Sequence, residues 1–572
     1  MKKLINDPRQ VVREMLEGVV ALHPDLALLA EHDVVIRNDL PEPARRGVAV
    51  ISGGGAGHEP AHAGYVGAGM LHAAVVGDVF TSPSVDAVLA AIHAVAGPSG
   101  AILIVKNYTG DRLNFGLAAE IARAGGIPTE IVVVADDVAL RERVPKERSR
   151  GIAGTVLIHK IAGALAEQGQ SLNAVATAAR TAADSARTMG VALGACTIPA
   201  VGVPSFELGD DEIEFGLGIH GEPGMVRQKV DSADAITDRM LDLVLKDGGY
   251  GDAARVALLI NNLGGTTQME LSIIARRALA YLRERGLVVE RAWAGTLLSA
   301  LEMPGFSISV IAVDDERLEL LDWATQASSW PGPGIIPRTT ATIPAAKPDV
   351  VKDVVTSADS LGAVARAAAL ACAEALEAAE PRLTELDRKG GDGDLGVSMC
   401  RAAAAIRTCC ASDRSASAAT VLFLLANELR RAIGGSSGPF YAVGLLRAAR
   451  RLAEGPSTSL ADWADAFARG AEAVSELGGA RAGDRTMLDS LLPAADALAD
   501  AARRKLPPAE AWRLAADAAA AGAEATAAMQ PRLGRASYLG ERALGSPDGG
   551  AAAVSTWLEA IGHRSRGLLL AP

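Results

Sequence analysis

The sequence predicts a two-part fold, an α/β domain followed by an all-α domain, and three observations support this fold class. Apolar runs alternate with helix-like segments over the first 330 residues, which is typical of α/β layering with a largely parallel sheet. A Pro-rich stretch then interrupts the pattern. From about Ser357 onward the β-branched runs vanish and the chain becomes Ala-rich, which favours helices. We therefore predict an α/β domain over 1–330 with two subdomains, a linker over 331–350 and a helical domain over 351–572.

Five apolar runs in the first domain predict buried strands, and each ends in or near Gly, Asn or Asp. They are Val48–Ile51, Ile102–Val105, Ile131–Val134, Val256–Ile260 and Ser307–Val313. Periodic segments between them, such as Ser84–Ala96 and Phe115–Ala124, predict helices. Ligands of open parallel sheets lie just beyond the carboxyl ends of the strands. We therefore expect the chemistry of this domain in the Gly-rich and polar clusters at these places.

The linker and the second domain are predicted from proline and from helical periodicity. Pro331–Gly334 is followed by Pro337, Pro344 and Pro348, and repeated proline prevents both a helix and a central strand. Beyond the linker, seven segments have a helical pattern: Leu361–Glu380, Ala416–Ala432, Tyr441–Ala453, Ala461–Leu477, Met487–Arg504, Ala509–Met529 and Ala551–Ile561.

Composition excludes several classes of protein. At 572 residues the chain is too long for one hydrophobic core, and its net charge of −12 argues against a nucleic-acid partner. Five cysteines without paired-ligand spacing indicate neither a disulfide framework nor a zinc knuckle. No apolar signal core follows Met1–Lys3, and no run of eighteen apolar residues occurs. We therefore expect a cytoplasmic protein with no membrane partner.

An acidic, Gly-rich cluster over Leu386–Gly396 is the strongest chemical signal. Asp387, Asp392 and Asp394 lie within eight residues, and the glycines between them let the chain fold back so that the carboxylates converge. Convergent carboxylates repel one another unless a cation is present, and hard oxygen ligands suit Mg²⁺. The spacing does not match an EF-hand. A solvated acidic turn is the alternative interpretation.

Two further clusters in the second domain suit a nucleotide. Gly434–Gly438 precedes the helix predicted near Tyr441, where exposed backbone N–H groups and serine hydroxyls can bind phosphate. Within Gly534–Gly540, Arg535 could contact a phosphate, and the turn Ser546–Gly550 could close over a base. An ordinary interhelix loop and a surface arginine are the alternatives. Because the chain has no P-loop, carboxylate-held metal would have to replace the P-loop lysine as the charge partner of the phosphates.

Three polar clusters in the first domain follow or flank predicted strands. Consecutive glycines in Ser52–Pro60 allow close backbone approach to a small ligand, and Phe80–Ser84 has the composition of a turn that caps a helix. Lys106 and Asp111 come directly after a predicted strand. We expect both of them at the mouth of the sheet, beside His58.

A fourth cluster, Gly216–Gly224, contains a Gly-x-Gly-x-x-Gly match that we reject as a dinucleotide fingerprint. The segment Glu222–Gly224 interrupts the helix that should begin there. His220 is flanked by glycines and therefore accessible from several directions. An imidazole nitrogen can add to a ketone carbonyl and hold a small ketone covalently. A structural histidine is the alternative.

Taken in order, these clusters resemble those of the dihydroxyacetone kinases, in the single-chain, ATP-using form with fused K and L domains. The resemblance covers essentially the whole chain. Its motifs are Ser52–Pro60, Thr81–Ser84, Lys106–Asp111, Gly218–Gly224, Asp387–Asp394, Gly434–Gly438, Gly483–Met487 and Gly534–Leu539.

The resemblance implies a kinase for dihydroxyacetone in which the K domain binds the ketone. His220 would form a hemiaminal with the carbonyl, while His58 and Asp111 handle protons, with Asp111 as the base for the attacking hydroxyl. Gly55, Ser82, Lys106 and Asp111 would bind the substrate's oxygens.

The resemblance also implies that the L domain is a barrel of helices that binds ATP and Mg²⁺, and that the chain forms a homodimer. Asp387, Asp392 and Asp394 would hold the magnesium. The nucleotide-binding site would be lined by Leu395, Gly396, Val397, Ser398, Ser436, Ser437, Gly478, Met487, Arg535, Asp548, Gly549 and Gly550.

Three residues depart from the family pattern without removing a catalytic group. Ala56 replaces the usual Ser of the Gly-rich loop, which affects substrate hydrogen bonding. Leu395 replaces a usual Thr, so that contacts there would be made by the backbone alone. Gly549 replaces a usual Pro near the base.

Three alternative functions remain open at this point. The same motifs suit a kinase for the four-carbon ketose erythrulose, because His220 could capture any accessible ketone. An FMN-forming cyclase acting on FAD would use the same metal site. A non-catalytic regulator is a third possibility, against which the His220, Asp111 and Asp-triad residues argue. A separate phosphotransfer partner is not expected, since fused chains use ATP directly.

Overall fold

A computed structural model gives the structure of the chain and describes residues 2–141, 144–145, 148–345, 360–412, 416–455, 459–538 and 540–568. The chain folds as two compact units, Met1–Ile343 and Pro344–Pro572, and each is described by itself. Within the described residues, no helix is both long and apolar enough to cross a membrane. Part of the predicted linker, including Pro348, lies outside the described residues.

The first unit alternates strands and helices. Its strands are β1 (Leu26–Leu28), β2 (Val34–Arg37), β3 (Ala49–Ala56), β4 (Ala73–Val79), β5 (Ala101–Lys106), β6 (Thr129–Val134), β7 (Arg187–Ala192), β8 (Glu212–Phe215), β9 (Val226–Lys229), β10 (Arg255–Asn262), β11 (Val288–Gly295) and β12 (Gly305–Ala312). Its helices are α1 (Val11–Leu22), α2 (Val85–Val95), α3 (Thr109–Ala124), α4 (Thr155–Glu167), α5 (Leu172–Ser185), α6 (Ala233–Gly248), α7 (Gln268–Glu284) and α8 (Asp315–Asp322).

The strands form two six-stranded sheets, which matches the predicted pair of subdomains. The first sheet has the order β1-β2-β4-β3-β5-β6, and its four strands β4, β3, β5 and β6 run parallel. Ile51, Val75 and Leu103 are fully buried beneath α2 and α3 on one face. Helices α4 and α5 cover the other face, so that the central strands are apolar on both sides.

The second sheet has the order β11-β10-β12-β7-β8-β9, and the prediction of a largely parallel arrangement is wrong for it. Only β10 and β11 pair in parallel, because the crossover helix α7 joins them. The loop 216–225 joins β8 and β9 as a hairpin, and a hairpin can only produce antiparallel strands. Apolar runs predict strands but do not report their direction.

All five predicted strands are confirmed, but the Gly-rich cluster is not the loop that we expected after Val48–Ile51. Gly53, Gly54 and Gly55 belong to β3, which continues to Ala56. A Cβ on Gly53 would overlap the carbonyl oxygen of Val75 in the neighbouring strand. Glycine is required there because β4 approaches the backbone too closely for any side chain.

The second unit is all-α in the described residues. Its helices are α9 (Ser360–Ala378), α10 (Glu380–Gly390), α11 (Leu395–Ser412), α12 (Ala418–Ala432), α13 (Ser437–Ala453), α14 (Leu460–Gly478), α15 (Leu488–Arg503), α16 (Pro508–Ala525) and α17 (Gly549–Leu568). The seven predicted helices are confirmed. Helices α10 and α11, on either side of the acidic cluster, were missed because its glycines obscured their periodicity.

The long helices of this unit form a closed ring. Each of α11 to α17 packs on the next, and α17 packs on α9, which packs on α11. Small residues allow the close spacing: a Cβ on Gly470 would lie 2.9 Å from the carbonyl oxygen of Gly444 on the neighbouring helix. The ring encloses an apolar cavity of about 310 Å³ whose lining includes Leu376, Tyr441 and Trp557. This ring agrees with the predicted helical barrel.

Candidate active site

His220 lies in the loop between β8 and β9, and Glu222 fixes its orientation. The ring Nδ1 donates to Glu222 Oε1 over 2.9 Å, and the backbone N–H of His220 donates to Oε2 over 3.0 Å. A Cβ on Gly218 would overlap the Glu222 carboxylate, so that a side chain at that position would displace Glu222 from His220. With Nδ1 protonated, the Nε2 of His220 carries a lone pair and can act as a nucleophile.

The carboxylate of Glu222 is ionised throughout the neutral range. Burial alone would raise its pKa, but the hydrogen bonds from the ring and backbone of His220 outweigh burial and lower the pKa to about 2. The interaction with His220 is therefore fully present above pH ~4.5, the ordinary pKa of a glutamate, and is lost only as the pH falls towards 2.

His58, which follows β3, meets His220 edge to edge. Its side chain is fully buried, its Nδ1 donates to the carbonyl oxygen of Ser299 over 2.8 Å, and its Nε2 lies 3.0 Å from the Nε2 of His220. Because both Nδ1 atoms already donate, a hydrogen bond between the two Nε2 atoms forms only when one of them also carries a proton. Burial, followed by the positive charge of Lys106, lowers the pKa of His58 well below its ordinary value. His58 therefore gives up a proton readily.

Two aromatic rings complete the surroundings of His220. The ring of Tyr108 lies 4.7 Å from that of His220 and the ring of Phe80 lies 5.2 Å from it, both edge to face. Phe80 also stacks on His58 at 5.0 Å and adopts a positive φ of 59°. These contacts hold both imidazoles in place.

Lys106 and Asp111 lie where the sequence predicted them, at the carboxyl end of β5 and in the first turn of α3. Both are buried, and neither Lys106 Nζ nor Asp111 Oδ1 has a hydrogen-bond partner among the described residues. Burial lowers the pKa of Lys106, while the nearby Asp111 carboxylate opposes that shift. An unpartnered cation and an unpartnered carboxylate oxygen suit a small polar ligand.

Ser82 and Gly55 also line this end of the first sheet. Ser82 lies in the turn that leads to α2, and its Oγ would be 2.5 Å from a Cβ on Gly110, beside Asp111. A Cβ on Gly55 would lie 2.5 Å from the backbone N of Thr81. The structure thus gathers Gly55, Ser82 and Lys106 at one end of the sheet.

Glu222 and Tyr108 are site residues that the sequence did not reveal. Glu222 was used only as evidence against a helix, although an acid two residues after an exposed histidine is a signal for an orienting carboxylate. Nothing in the sequence showed that the Tyr108 ring would turn towards His220.

Replacing Glu222 by glutamine is expected to lower kcat/KM by about 10- to 100-fold, the range for a hydrogen bond to a charged group. The amide can still accept from Nδ1, but it removes the negative charge that would stabilise a cationic His220. The measurement is the pH profile of kcat/KM for wild type and Glu222→Gln. If kcat/KM falls by the same factor at every pH and the shape of the pH profile is unchanged, Glu222 is merely structural.

In the second unit, the three predicted metal ligands come together. Asp387 lies near the end of α10, and Asp394 directly precedes α11. One ligand oxygen from each of Asp387, Asp392 and Asp394 lies within 4.8 Å of the others. Asp387 Oδ2 accepts from the backbone N–H groups of Asp394 and Leu395 at 2.9 and 3.2 Å, which fixes its direction. Three hard oxygen donors so arranged fit a magnesium ion.

The predicted nucleotide residues lie at helix ends on the same side of the ring. Leu395, Gly396, Val397 and Ser398 form the first turn of α11. Ser436 and Ser437 begin α13, next to Gly478 at the end of α14: a Cβ on Gly478 would be 2.9 Å from the Phe440 ring.

The starts of α11, α15 and α17 are packed together beside the acidic cluster. A Cβ on Gly549 would lie 2.9 Å from Leu395 and 3.8 Å from Asp387, and one on Gly550 would lie 3.5 Å from Met487. Asp548 caps α17 by accepting from the N–H of Ala551 over 2.8 Å. Converging helix N-termini attract phosphate. The side chain of Arg535 lies outside the described residues.

Arg485 supports this end of the ring, although the sequence assigned it no role. Its buried guanidinium donates to the carbonyl oxygens of Thr526, Ala543 and Ser546 at 3.1, 2.5 and 3.0 Å. It therefore fixes the segment that leads to Asp548. The sequence signal was available, because Arg485 lies within the Gly483–Met487 motif.

Comparisons with known proteins identify the family. Residues 17–329 match the Dak1 domain and residues 389–563 match the DAK2 domain. Human triokinase/FMN cyclase is 44% identical over 577 residues, which covers 98% of each chain. The chain belongs to the dihydroxyacetone kinase family. The resemblance inferred from the sequence is confirmed.

Two further relatives extend this result. A putative 3,4-dihydroxy-2-butanone kinase of Solanum lycopersicum is 44% identical over 578 residues, covering 98% of this chain and 97% of that protein. The crystal structure of the dihydroxyacetone kinase of C. freundii in complex with AMP-PNP and Mg²⁺ superposes with a TM-score of 0.65 at 36% identity, covering 98% of this chain and 99% of that one. The predicted fold class, an α/β domain followed by an all-α domain, is confirmed.

Proposed function

We propose that this chain is an ATP-dependent kinase that converts dihydroxyacetone to dihydroxyacetone phosphate and holds its substrate as a hemiaminal on His220. The observation that carries this assignment is the hydrogen bond from His220 Nδ1 to Glu222, which leaves the Nε2 of His220 as the nucleophilic nitrogen. The buried, unpartnered Lys106 Nζ and Asp111 Oδ1 at the carboxyl end of β5 supply the polar groups that a small ketone needs. Relatives named dihydroxyacetone kinase and triokinase support it and confirm the predicted enzyme class.

Capture of the ketone uses the two histidines. His220 Nε2 adds to the carbonyl carbon, a carbon–nitrogen bond forms, and the electron pair of the C=O π bond moves to oxygen. The oxygen takes up a proton from the Nε2 of His58 in its doubly protonated form, which becomes neutral, and the low pKa of His58 favours that transfer. Glu222 balances the positive charge left on the imidazole. Covalent capture suits a ligand with too little surface for tight noncovalent binding, and it fixes the reacting hydroxyl in position.

Phosphoryl transfer then needs a base and charge neutralisation. Asp111 removes the proton of the attacking hydroxyl, and Lys106, Ser82 and Gly55 bind the oxygens of the substrate. Asp387, Asp392 and Asp394 would hold Mg²⁺, which neutralises the charge on the phosphates of ATP when it is bound. The converging N-termini of α11, α15 and α17 would contact those phosphates.

Two alternatives within the family are supported by the names of relatives. The tomato relative is named for a four-carbon hydroxyketone, so that a tetrulose such as erythrulose remains a second substrate candidate. The human relative is named as an FMN cyclase as well as a triokinase, which keeps FMN formation from FAD as a second activity. A regulatory role without catalysis is disfavoured, because both sets of site residues are present.

The test is ATP- and Mg²⁺-dependent phosphorylation of dihydroxyacetone, both erythrulose enantiomers and glyceraldehyde, with FAD assayed for FMN release in parallel. Fastest turnover of dihydroxyacetone supports the proposal. A preference for one erythrulose would move the assignment to a tetrulose kinase. Release of FMN without any sugar phosphorylation would contradict it.

The domain roles, location and assembly are part of the same proposal. Residues 1–330 form the substrate domain, 331–350 the linker and 351–572 the nucleotide domain of a cytoplasmic homodimer. An exposed apolar stripe on α3, formed by Leu113, Leu117 and Ile121, offers one surface for self-association. Light scattering of the purified chain measures the mass in solution directly.

A further inference from the structure

A second pair of buried histidines lies beside β3 and is not used by the mechanism above. His62 and His159 are both almost completely buried, and their rings meet edge to face with centroids 5.1 Å apart. Both contact the hydroxyl of Ser52, a residue of β3: His159 Nε2 lies 3.0 Å and His62 Nδ1 lies 3.5 Å from its Oγ. Buried polar side chains of this kind need a structural or a functional reason.

The hydrogen bonds of Ser52 determine which nitrogen of each ring carries a proton. The Ser52 hydroxyl donates its one hydrogen to the carbonyl oxygen of Ile104 over 2.7 Å. Its oxygen can then only accept, so that His62 Nδ1 and His159 Nε2 must each carry a proton. Burial lowers the pKa of His62 well below its ordinary value, and this ring is therefore neutral. The Nε2 of His62 is left as an unprotonated acceptor.

This acceptor faces Lys106 across Gly54. The three atoms nearest to a Cβ built on Gly54 are Lys106 Nζ at 3.2 Å, Lys106 Cε at 3.3 Å and His62 Nε2 at 3.6 Å. Neither Lys106 Nζ nor His62 Nε2 has a hydrogen-bond partner within the described part of the chain. A cationic donor and a neutral acceptor therefore both lie on the side of Gly54 towards which a side chain would project.

A hydroxyl group satisfies both atoms at once. Its oxygen accepts from the Lys106 ammonium, and its hydrogen is donated to His62 Nε2. A carbonyl oxygen or a phosphate oxygen would satisfy Lys106 alone, and a methyl group would satisfy neither. The chemistry of this position thus selects a carbon that bears a hydroxyl.

We propose that His62 is a specificity-determining residue that binds, together with Lys106, the substrate hydroxyl that is not phosphorylated. This inference deepens the proposed function and rests on it, because the ketone must first occupy the pocket of His220. It predicts that the protein prefers dihydroxyacetone to hydroxyacetone, which keeps the ketone and one hydroxyl but has a methyl group in place of the other.

The experiment compares the two ketones in wild type, His62→Leu and His62→Gln. Capture is followed without ATP by the NMR signal of a ¹³C-labelled carbonyl carbon, which becomes tetrahedral on addition, and kcat/KM is measured separately. In His62→Leu we expect the preference for dihydroxyacetone to fall by about 10-fold, the loss typical of one hydrogen bond in a buried site. Because glutamine keeps an acceptor, His62→Gln should retain most of the preference.

His159→Leu is the matched control, since His159 is equally buried and bonded to the same serine but is not among the atoms nearest to Gly54. Its preference between the ketones should equal that of wild type. Equal losses for both ketones in His62→Leu, or identical behaviour of the Leu and Gln variants, would overturn the role of His62. If wild type captures both ketones but phosphorylates neither, the kinase proposal fails while the capture measurement still decides the role of His62.

Discussion

Alanine at position 220 is expected to reduce kcat/KM for dihydroxyacetone by about 10³- to 10⁵-fold, because both covalent capture and the positioning of the hydroxyl are lost. The effect should appear in both kcat and KM, since the ketone would be bound only through Lys106, Asp111 and neighbouring groups. Steady-state kinetics measures the loss, and the ¹³C signal of the captured carbon should disappear with it.

His93→Ala provides a control for loss of an imidazole, because His93 lies exposed in the last turn of α2. Its kinetics should match those of wild type. Turnover of His220→Ala within about 10-fold of wild type would mean that the rate enhancement expected of a positioned reaction does not come from this residue. The covalent mechanism would then be wrong, whatever the substrate.

Replacing Asp394 by asparagine is expected to lower kcat by about 10²- to 10⁴-fold and to raise the Mg²⁺ concentration needed for half-maximal activity. Asparagine has nearly the same size but lacks the charge that a hard cation requires. A magnesium titration of the kinase rate measures both effects. Ketone capture by His220 should be unchanged, because it requires no metal.

Glu385→Gln is the corresponding control on α10. Glu385 is also acidic and near the cluster, but it forms surface ion pairs with Arg388 and Lys389. Its magnesium dependence should stay that of wild type. An identical magnesium dependence in Asp394→Asn and wild type would remove Asp394 from the metal site.

The sequence predicted the secondary structure correctly where the hydrophobic pattern of a segment matches its burial in the fold. Runs such as Ile102–Val105 are apolar on both faces because helices cover both sides of the first sheet, and they are recognisable as strands. The direction of pairing in the second sheet was missed, since it depends on connections such as the hairpin loop 216–225 rather than on composition. Gly53–Gly55 were expected in a loop, because nothing local reveals that a neighbouring strand lies against them.

The candidate site was predictable where the residues of one cluster act together. Asp387, Asp392 and Asp394 are close in the chain and also in space. Contacts between segments that are distant in the chain could not be predicted from the sequence. His58 and His220, which are in contact, are 162 positions apart in the chain. Ser52 and His159, which share a hydrogen bond, are 107 positions apart. The first contact follows from the packing of the two subdomains and the second from the packing of α4 on the first sheet, and periodicity encodes neither.

The closed ring of the second unit has a consequence for engineering. The acidic cluster and the starts of α11, α15 and α17 occupy one end of the ring, where α9 finishes and α17 begins. Helix α9 therefore starts, and α17 finishes, at the opposite end, and the two helices are neighbours. In a chain limited to the second unit, a circular permutation that joins the end of α17 to the start of α9 and opens another loop at that end of the ring would leave the end with the acidic cluster unbroken.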